Sequence, residues 1–249
     1  MMTNVLETMR STDWIKNCSA GIPDLATAFD VQDAVAKALA AERGGVAGYK
    51  IAFNSAALME KLNLPHPGMG RIFADQVYQS GVEIDTTAYR HFMIEPEIAA
   101  RLKEDLVPGA PYSAARAEAA VEHYFPAFEL LDRRNFEGMM HPPTVIAHNV
   151  FNAGIVCGGP GLAPGEFDWQ GLTTLCTDGS SVVVEGRGIA PQNPAEALAF
   201  LANHYTGRGQ VIPKGSLMLL GAHCPLYKVE AGRQMRLELG PLGAVEFGT

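Results

Sequence analysis

Positive charge, cysteine and long apolar runs are all scarce in this chain, and each scarcity removes a class of function. Lysine and arginine together number 19 against 27 aspartates and glutamates, leaving a formal charge of −8. No basic run is present, nor a basic patch interleaved with aromatics, which argues against binding to a nucleic-acid backbone. The four cysteines, Cys18, Cys157, Cys176 and Cys224, are scattered without CxxC or zinc-type spacing. In a chain of this size that pattern implies reduced thiols and a cytoplasmic protein. No apolar run approaches the roughly 18 residues of a membrane span. The opening MMTNVLETMR lacks the apolar core of a signal peptide. Also missing is a GxSxG nucleophile elbow. The glycines of 158-GGPGLAPGE-166 do not join a strand to a helix as a phosphate loop would.

What is there is a chain with 47% apolar and 18% charged residues, the balance of a packed globular protein. The segment 27-TAFDVQDAVAKALAAERGG-45 is alanine-rich, carries apolar residues at helical spacing and closes on two glycines, which predicts a helix. A short strand-like run, 48-GYKIAF-53, follows, then a short helix over 55–62 and a loop over 63–70. From Arg71 onward strand-like runs dominate, including 91-HFMIEPEIAARL-102, 125-FPAFELL-131, 144-TVIAHNVFNAGIVCG-158 and 215-GSLMLLGA-222. Two helices are expected among them, over 113–125 and over 194–205, the second with Asn193 as cap and Pro194 in its first turn. The order predicts an α+β protein of a single domain, with a helical N-terminal part (1–45) and a β-rich catalytic core (46–249).

Glu95 and Glu97 flank Pro96 inside an apolar run. Residues two apart on a strand share a face, so both carboxylates aim at one spot. Pro96 cannot donate to a ladder, which suggests an edge strand or a bulge. A solvent-facing strand with two harmless glutamates fits the same pattern. A third carboxylate, Glu129, lies between Phe128 and Leu130, where an unpaired charge would be costly. Three carboxylates without Cys or His suit a hard, oxygen-loving ion such as Mg²⁺ or Mn²⁺. Asp132, at the polar edge of that run, is the competing candidate.

Lys50 stands among apolar residues. It either snorkels to solvent or serves as an acid, base or electrostatic clamp, with Asp75 as the partner that tunes it. His148 and the amides Asn149 and Asn152 sit in another apolar run; the histidine is either structural or a catalytic candidate. Ser55, Asn149 and Arg187 offer hydroxyl, amide and guanidinium groups able to bind substrate, Arg187 through a carboxylate, although a surface arginine fits Arg187 better.

The order GYKI, then FAD, then EPE followed by an apolar residue and alanine, then PAFELLD, then GRG and the closing 237-LELGPLGAVEF-247, resembles the 2-hydroxypentadienoate (2-keto-4-pentenoate) hydratase and oxalocrotonate decarboxylase family. That family lies within the fumarylacetoacetate hydrolase superfamily, and the likeness runs from about Thr27 to the C-terminus. The resemblance implies a mixed β-roll with peripheral helices, usually a homo-oligomer. It implies Mg²⁺ or Mn²⁺ held by Glu95, Glu97 and Glu129, and an active-site lysine at Lys50. Three places depart from the family pattern. Gly68 stands where a loop acid is common, with His66 nearby as a substitute. His148 replaces an aspartate. Finally, 221-GAHCPL-226 replaces a threonine-and-glycine turn.

The expected function is a metal-dependent lyase acting on a short 2-hydroxydienoate or 2-oxoenoate. Hydration of 2-hydroxypenta-2,4-dienoate to 4-hydroxy-2-oxopentanoate, in aromatic meta-cleavage catabolism, leads, with 4-oxalocrotonate-type decarboxylation beside it. Two other readings are an acylpyruvate carbon–carbon hydrolase using His148 or His66, and a metal-binding partner subunit of another pathway enzyme.

Overall fold

Helices form at the N-terminal end where alanine and apolar spacing predict them. The computed structural model describes residues 2–134 and 140–249. Its helices are α1 (Met2–Arg10), α2 (Leu25–Glu42), α3 (Ala56–Leu62), α4 (Ala114–Ala119), α5 (Pro142–Ala147) and α6 (Pro194–Gly207). Asp24 caps α2 by accepting from the Thr27 amide at 2.8 Å. Phe29, Gln32, Val35, Ala36 and Leu39 form its buried stripe. Asn193 caps α6, accepting from the Ala195 amide at 2.9 Å, with Pro194 behind it as expected.

The strands are β1 (Val46–Ala52), β2 (Gly68–Phe73), β3 (Val77–Gln79), β4 (Val82–Glu83), β5 (Phe92–Leu102), β6 (Val121–Asp132), β7 (Asn152–Cys157), β8 (Gly159–Pro160), β9 (Thr173–Asp178), β10 (Ser181–Arg187), β11 (Leu217–Ala222), β12 (Tyr227–Lys228), β13 (Gln234–Glu238) and β14 (Gly243–Gly248). Among the described residues they build two mixed sheets. The larger runs β2-β1-β11-β5-β6-β7-β3, with β12 continuing alongside β5. The smaller runs β10-β9-β13-β14-β4, with β8 against β14. The sheets meet through aromatic edges: Phe247 of β14 packs T-shaped on Phe128 of β6, ring centres 5.2 Å apart.

Three expected elements come out differently. The loop over 63–70 gives way to strand β2 at Gly68, paired against Ala52, while Gly70 faces Lys50. Glycine fits at 70 because a Cβ there would stand 3.0 Å from the Asn149 carbonyl oxygen. The helix expected over 113–125 ends at Ala119, and Val121 begins the long strand β6. Val121, Tyr124 and Phe125 favour the pleated surface, and β5 supplies the pairing partner. The run 144–158 starts as helix α5, with Pro142 in its first turn and the His141 ring accepting from the Thr144 amide at 3.3 Å. Residues 143–147 are all buried, so no apolar period marks that helix in the sequence.

Candidate active site

The long antiparallel pair β5–β6 places the acids. Glu95 lies directly opposite Glu129, and Glu97 opposite Ala127. With the two-residue strand period, ligand oxygens from Glu95, Glu97 and Glu129 all fall within 4.8 Å of one another. Glu97 and Glu129 are 1% and 0% exposed. Solvent therefore does not dilute their charge, which removes the reading of a harmless solvent-facing strand. Strand β5 is not at an edge, as Pro96 suggested; β11 and β6 flank it. Pro96 sits between Glu97, paired with Ala222 at the end of β11, and Ile94, paired with Tyr227 of β12, so the missing donor falls where the ladder passes from one neighbour to the next. The β11 register shifts between Leu219 and Ala222, and in that irregular stretch the Gly221 amide donates to Glu97 Oε2 at 2.8 Å.

Lys50 reaches the cluster from β1. Its Nζ lies 2.7 Å from Glu129 Oε1 and 2.9 Å from Oε2. Three strand spacings separate β1 from β6, about 14 Å if the sheet were flat. The pair closes because the sheet curls and both side chains cross its concave face. Asn152 Nδ2 donates to Glu129 Oε1 at 2.8 Å and fixes the carboxylate from the other side. Burial alone would push the Lys50 ammonium down, but the charges of Glu129, Glu95 and Glu97 outweigh it and hold its pKa above the ordinary value.

The acids show the converse. Burial first, then the Glu129 charge, raises Glu95 to about 7 and Glu97 well above the usual carboxylate range. Three carboxylates against one ammonium leave a negative surplus that a divalent cation would cancel. The all-oxygen donor set fits Mg²⁺ or Mn²⁺ and not a thiolate- or imidazole-seeking ion.

The cluster opens into a cleft of about 640 Å³. Its walls include Phe53, Leu58, Leu131, Met140, Val150, Phe151 and Leu226, with Lys61 and Arg133 as further cations. The backbone bends sharply around it. Asn149, Val150 and Phe151 are successively left-handed (φ 58, 50 and 62), as is Phe53 (φ 56). A β-branched residue such as Val150 rarely adopts that conformation; here it turns the Val150 carbonyl toward Lys50 Nζ, at 3.5 Å.

Of the residues singled out in the sequence, Glu95, Glu97, Glu129 and Lys50 converge, and Ser55 lines the cleft while its Oγ caps α3 by accepting from the Leu58 amide. The others lie elsewhere. Asp75 is not the partner of Lys50: it sits on a single 3-10 turn, half exposed, and pairs with Arg43 at 3.1 Å. His148 is buried with Nδ1 2.7 Å from the Thr144 carbonyl, outside the cleft; burial lowers its pKa to about 4. Asn149 brackets one residue of β2, accepting from the Arg71 amide and donating to the Arg71 carbonyl, both at 2.7 Å. Its amide thus stands in for a neighbouring strand and is not free for substrate. Arg187 ends β10 in the smaller sheet, in a depression with Thr173 and Glu185. His66 lines a separate cavity beside His204 and Arg208. Asp132 instead accepts from the Arg90 and His91 amides. Sequence reasoning missed Gly221 and Asn54, and left Asn152 without a partner; only the bulge-forming glycine carried a legible signal.

A curled mixed sheet over a second sheet, with its acids on the concave face, is the fold of the fumarylacetoacetate hydrolase superfamily. The structure superposes on 4-oxalocrotonate decarboxylase from Pseudomonas putida G7, complexed with magnesium and adipate, with a TM-score of 0.90, 24% identity and coverage of 99% of this chain and 95% of the other. No family model matches the sequence. Among curated proteins, it is 30% identical over 213 residues to a 4-oxalocrotonate decarboxylase of Pseudomonas sp, covering 84% of this chain and 80% of the relative. It is 27% identical over 225 residues to 2-keto-4-pentenoate hydratase 2 of Dechloromonas aromatica (strain RCB), covering 90% and 86%. The chain belongs to the family of 2-keto-4-pentenoate hydratases and 4-oxalocrotonate decarboxylases, and it is an enzyme of the lyase type.

Proposed function

We propose that the protein is a Mg²⁺- or Mn²⁺-dependent lyase acting on a short 2-oxoenoate or its 2-hydroxydienoate form. The observation that carries this reading is the convergence of Glu95, Glu97 and Glu129 with Lys50 at the head of one cleft. A divalent ion held by the three carboxylates would supply Lewis-acid polarisation of the substrate's 2-oxygen. Lys50, kept protonated by its acidic surroundings, holds a proton beside the carbon chain and can deliver it or offset developing negative charge. Asn152 keeps Glu129 oriented, and the apolar walls exclude water from the carbon chain.

Decarboxylation of a 2-oxoenedioate is the activity we favour. Lys61 and Arg133 line the same cleft as the acids, and two cations there suit a second substrate carboxylate. Loss of that carboxylate as CO2 breaks the bond to its neighbouring carbon; the electron pair runs along the conjugated chain to the 2-oxygen, giving a 2-hydroxydienoate after protonation. Hydration of 2-hydroxypenta-2,4-dienoate is the second reading, since the same dienol state begins it. The hydrolase reading ranks lower because His148 and His66, its water-activating candidates, lie outside the cleft.

The test is an ultraviolet assay on metal-stripped protein supplied with 2-oxohex-3-enedioate or 2-hydroxypenta-2,4-dienoate, with and without Mg²⁺. Mg²⁺-dependent CO2 release from the dioate is the expected result. Loss of dienoate absorbance without CO2 release moves the assignment to hydratase. Glu97→Gln is expected to abolish the Mg²⁺-dependent turnover while the circular-dichroism spectrum stays unchanged; full activity in that variant would end the metal reading.

A further inference from the structure

Two buried polar atoms on residues lining the cleft, Asn54 Nδ2 and His223 Nε2, have no hydrogen-bond partner among the described residues; the first lies beside the backbone that holds Glu97. Phe53, in its left-handed conformation, breaks the line of β1 directly after Ala52 and brings Asn54 to the wall of the cleft. Asn54 Nδ2 is buried and has no hydrogen-bond acceptor among the described residues. Its position is close to the metal-binding acids: a Cβ on Gly221 would stand 2.6 Å from that nitrogen. Gly221 is the residue whose amide donates to Glu97 Oε2 at 2.8 Å. The orphan amide therefore lies over the backbone that holds a metal-ligand carboxylate, on the wall shared with Lys50 and Glu95.

A buried N–H without an acceptor is unfavourable, and native structures almost always satisfy it with protein, water or ligand. Around this amide the described residues offer no acceptor, while the cleft has room for one. A substrate carboxylate accepts hydrogen bonds only, and at the acidic end of the cleft it needs neutral donors in addition to the cation. We propose that Asn54 Nδ2 donates to the 1-carboxylate of the 2-oxo acid, making Asn54 a substrate-binding residue for the chelating end. Lys61 and Arg133 would then serve the far end. The assignment rests on the lyase reading above, because it takes the 2-oxo acid to chelate at Glu95, Glu97 and Glu129.

Calorimetry with truncated ligands separates the two ideas without relying on turnover. Mg²⁺ alone is titrated first, then oxalate or pyruvate in saturating Mg²⁺, each carrying only the chelating end. Asn54→Ala is expected to weaken oxalate binding about tenfold or more, the worth of one hydrogen bond to a charged acceptor, while Mg²⁺ affinity and melting temperature hold. Asn54→Asp keeps the shape and exchanges the donor for an acceptor. It is expected to weaken oxalate further, and it carries the test if the alanine variant does not fold. Wild-type binding of oxalate with unchanged affinity in both variants overturns this inference alone. An equal loss of Mg²⁺ affinity in Asn54→Ala also overturns it, by making Asn54 a support for the metal acids. Wild-type protein that binds Mg²⁺ but neither oxalate nor pyruvate overturns the lyase reading, and this assignment with it.

Discussion

Lys50 and Glu129 form an ion pair in which each side chain is 1% exposed or less. Such a pair costs desolvation of both charges, and removing one partner leaves the other stranded. Lys50→Met is therefore expected to destabilise the metal-free protein by about 3–5 kcal/mol, measured by urea unfolding. Saturating Mg²⁺ should restore part of that loss, because the cation compensates Glu129 in place of the ammonium. Asn152 acts one step further out. Its amide orients Glu129 without itself belonging to the acidic cluster, so Asn152→Ala should lower Mg²⁺ affinity or turnover by about 10–100-fold. A calorimetric Mg²⁺ titration showing no change would place Asn152 outside the metal-binding apparatus.

At the scale of elements, the left-handed turn at Asn149, Val150 and Phe151 is tied to β2 by the Asn149 side chain. Asn149 supplies both hydrogen bonds to the Arg71 backbone. Asn149→Ala leaves a buried N–H and C=O on β2 without partners, which is expected to cost about 2–3 kcal/mol, read as a lower melting temperature. Hydrogen exchange should speed up at Arg71 first. The same elements show how far the sequence was readable. Helices α2 and α6 were legible because cap, apolar stripe and stop signal agree over many residues. Strand β5 and the glutamates of the site were legible because a strict period of two needs no partner to be recognised. Helix α5 was hidden, since it is buried all round and its periodicity is erased. The change from α4 to β6 was hidden too, because helix and strand meet within one residue at Ala120 and the strand's formation depends on β5.

For the whole molecule, the acidic cluster couples stability to pH and to metal. In the metal-free protein burial and their neighbours' charge raise Glu95 to about 7 and hold Glu97 well above the ordinary carboxylate value. The folded state then binds more protons than the unfolded chain between the ordinary carboxylate value and pH 7. Stability must fall as pH rises through that window. Mg²⁺ binds the deprotonated acids, so its stabilising effect grows with pH over the same range. Thermal melts from pH 5 to pH 8 should show a falling melting temperature without metal and a widening gap when Mg²⁺ is added. A gap independent of pH would mean that the acids are already ionised without the cation.

The sequence by itself determined the residue types and the short-range geometry of the site. Two glutamates at a strand's period, a third in an apolar strand, and a lysine on another strand already mark an oxygen-rich candidate cation site, because these relations need only local backbone rules. Partnership was decided by the tertiary structure alone. The curl of the larger sheet brings Lys50 across to Glu129 and leaves Asp75 outside with Arg43. The left-handed turn diverts Asn149 to the backbone of β2 and takes His148 away from the cleft. The β11 irregularity sets Gly221 on Glu97 and Asn54 above Gly221. Each is a contact between segments far apart in the chain, fixed by sheet curvature and register, which no local pattern encodes.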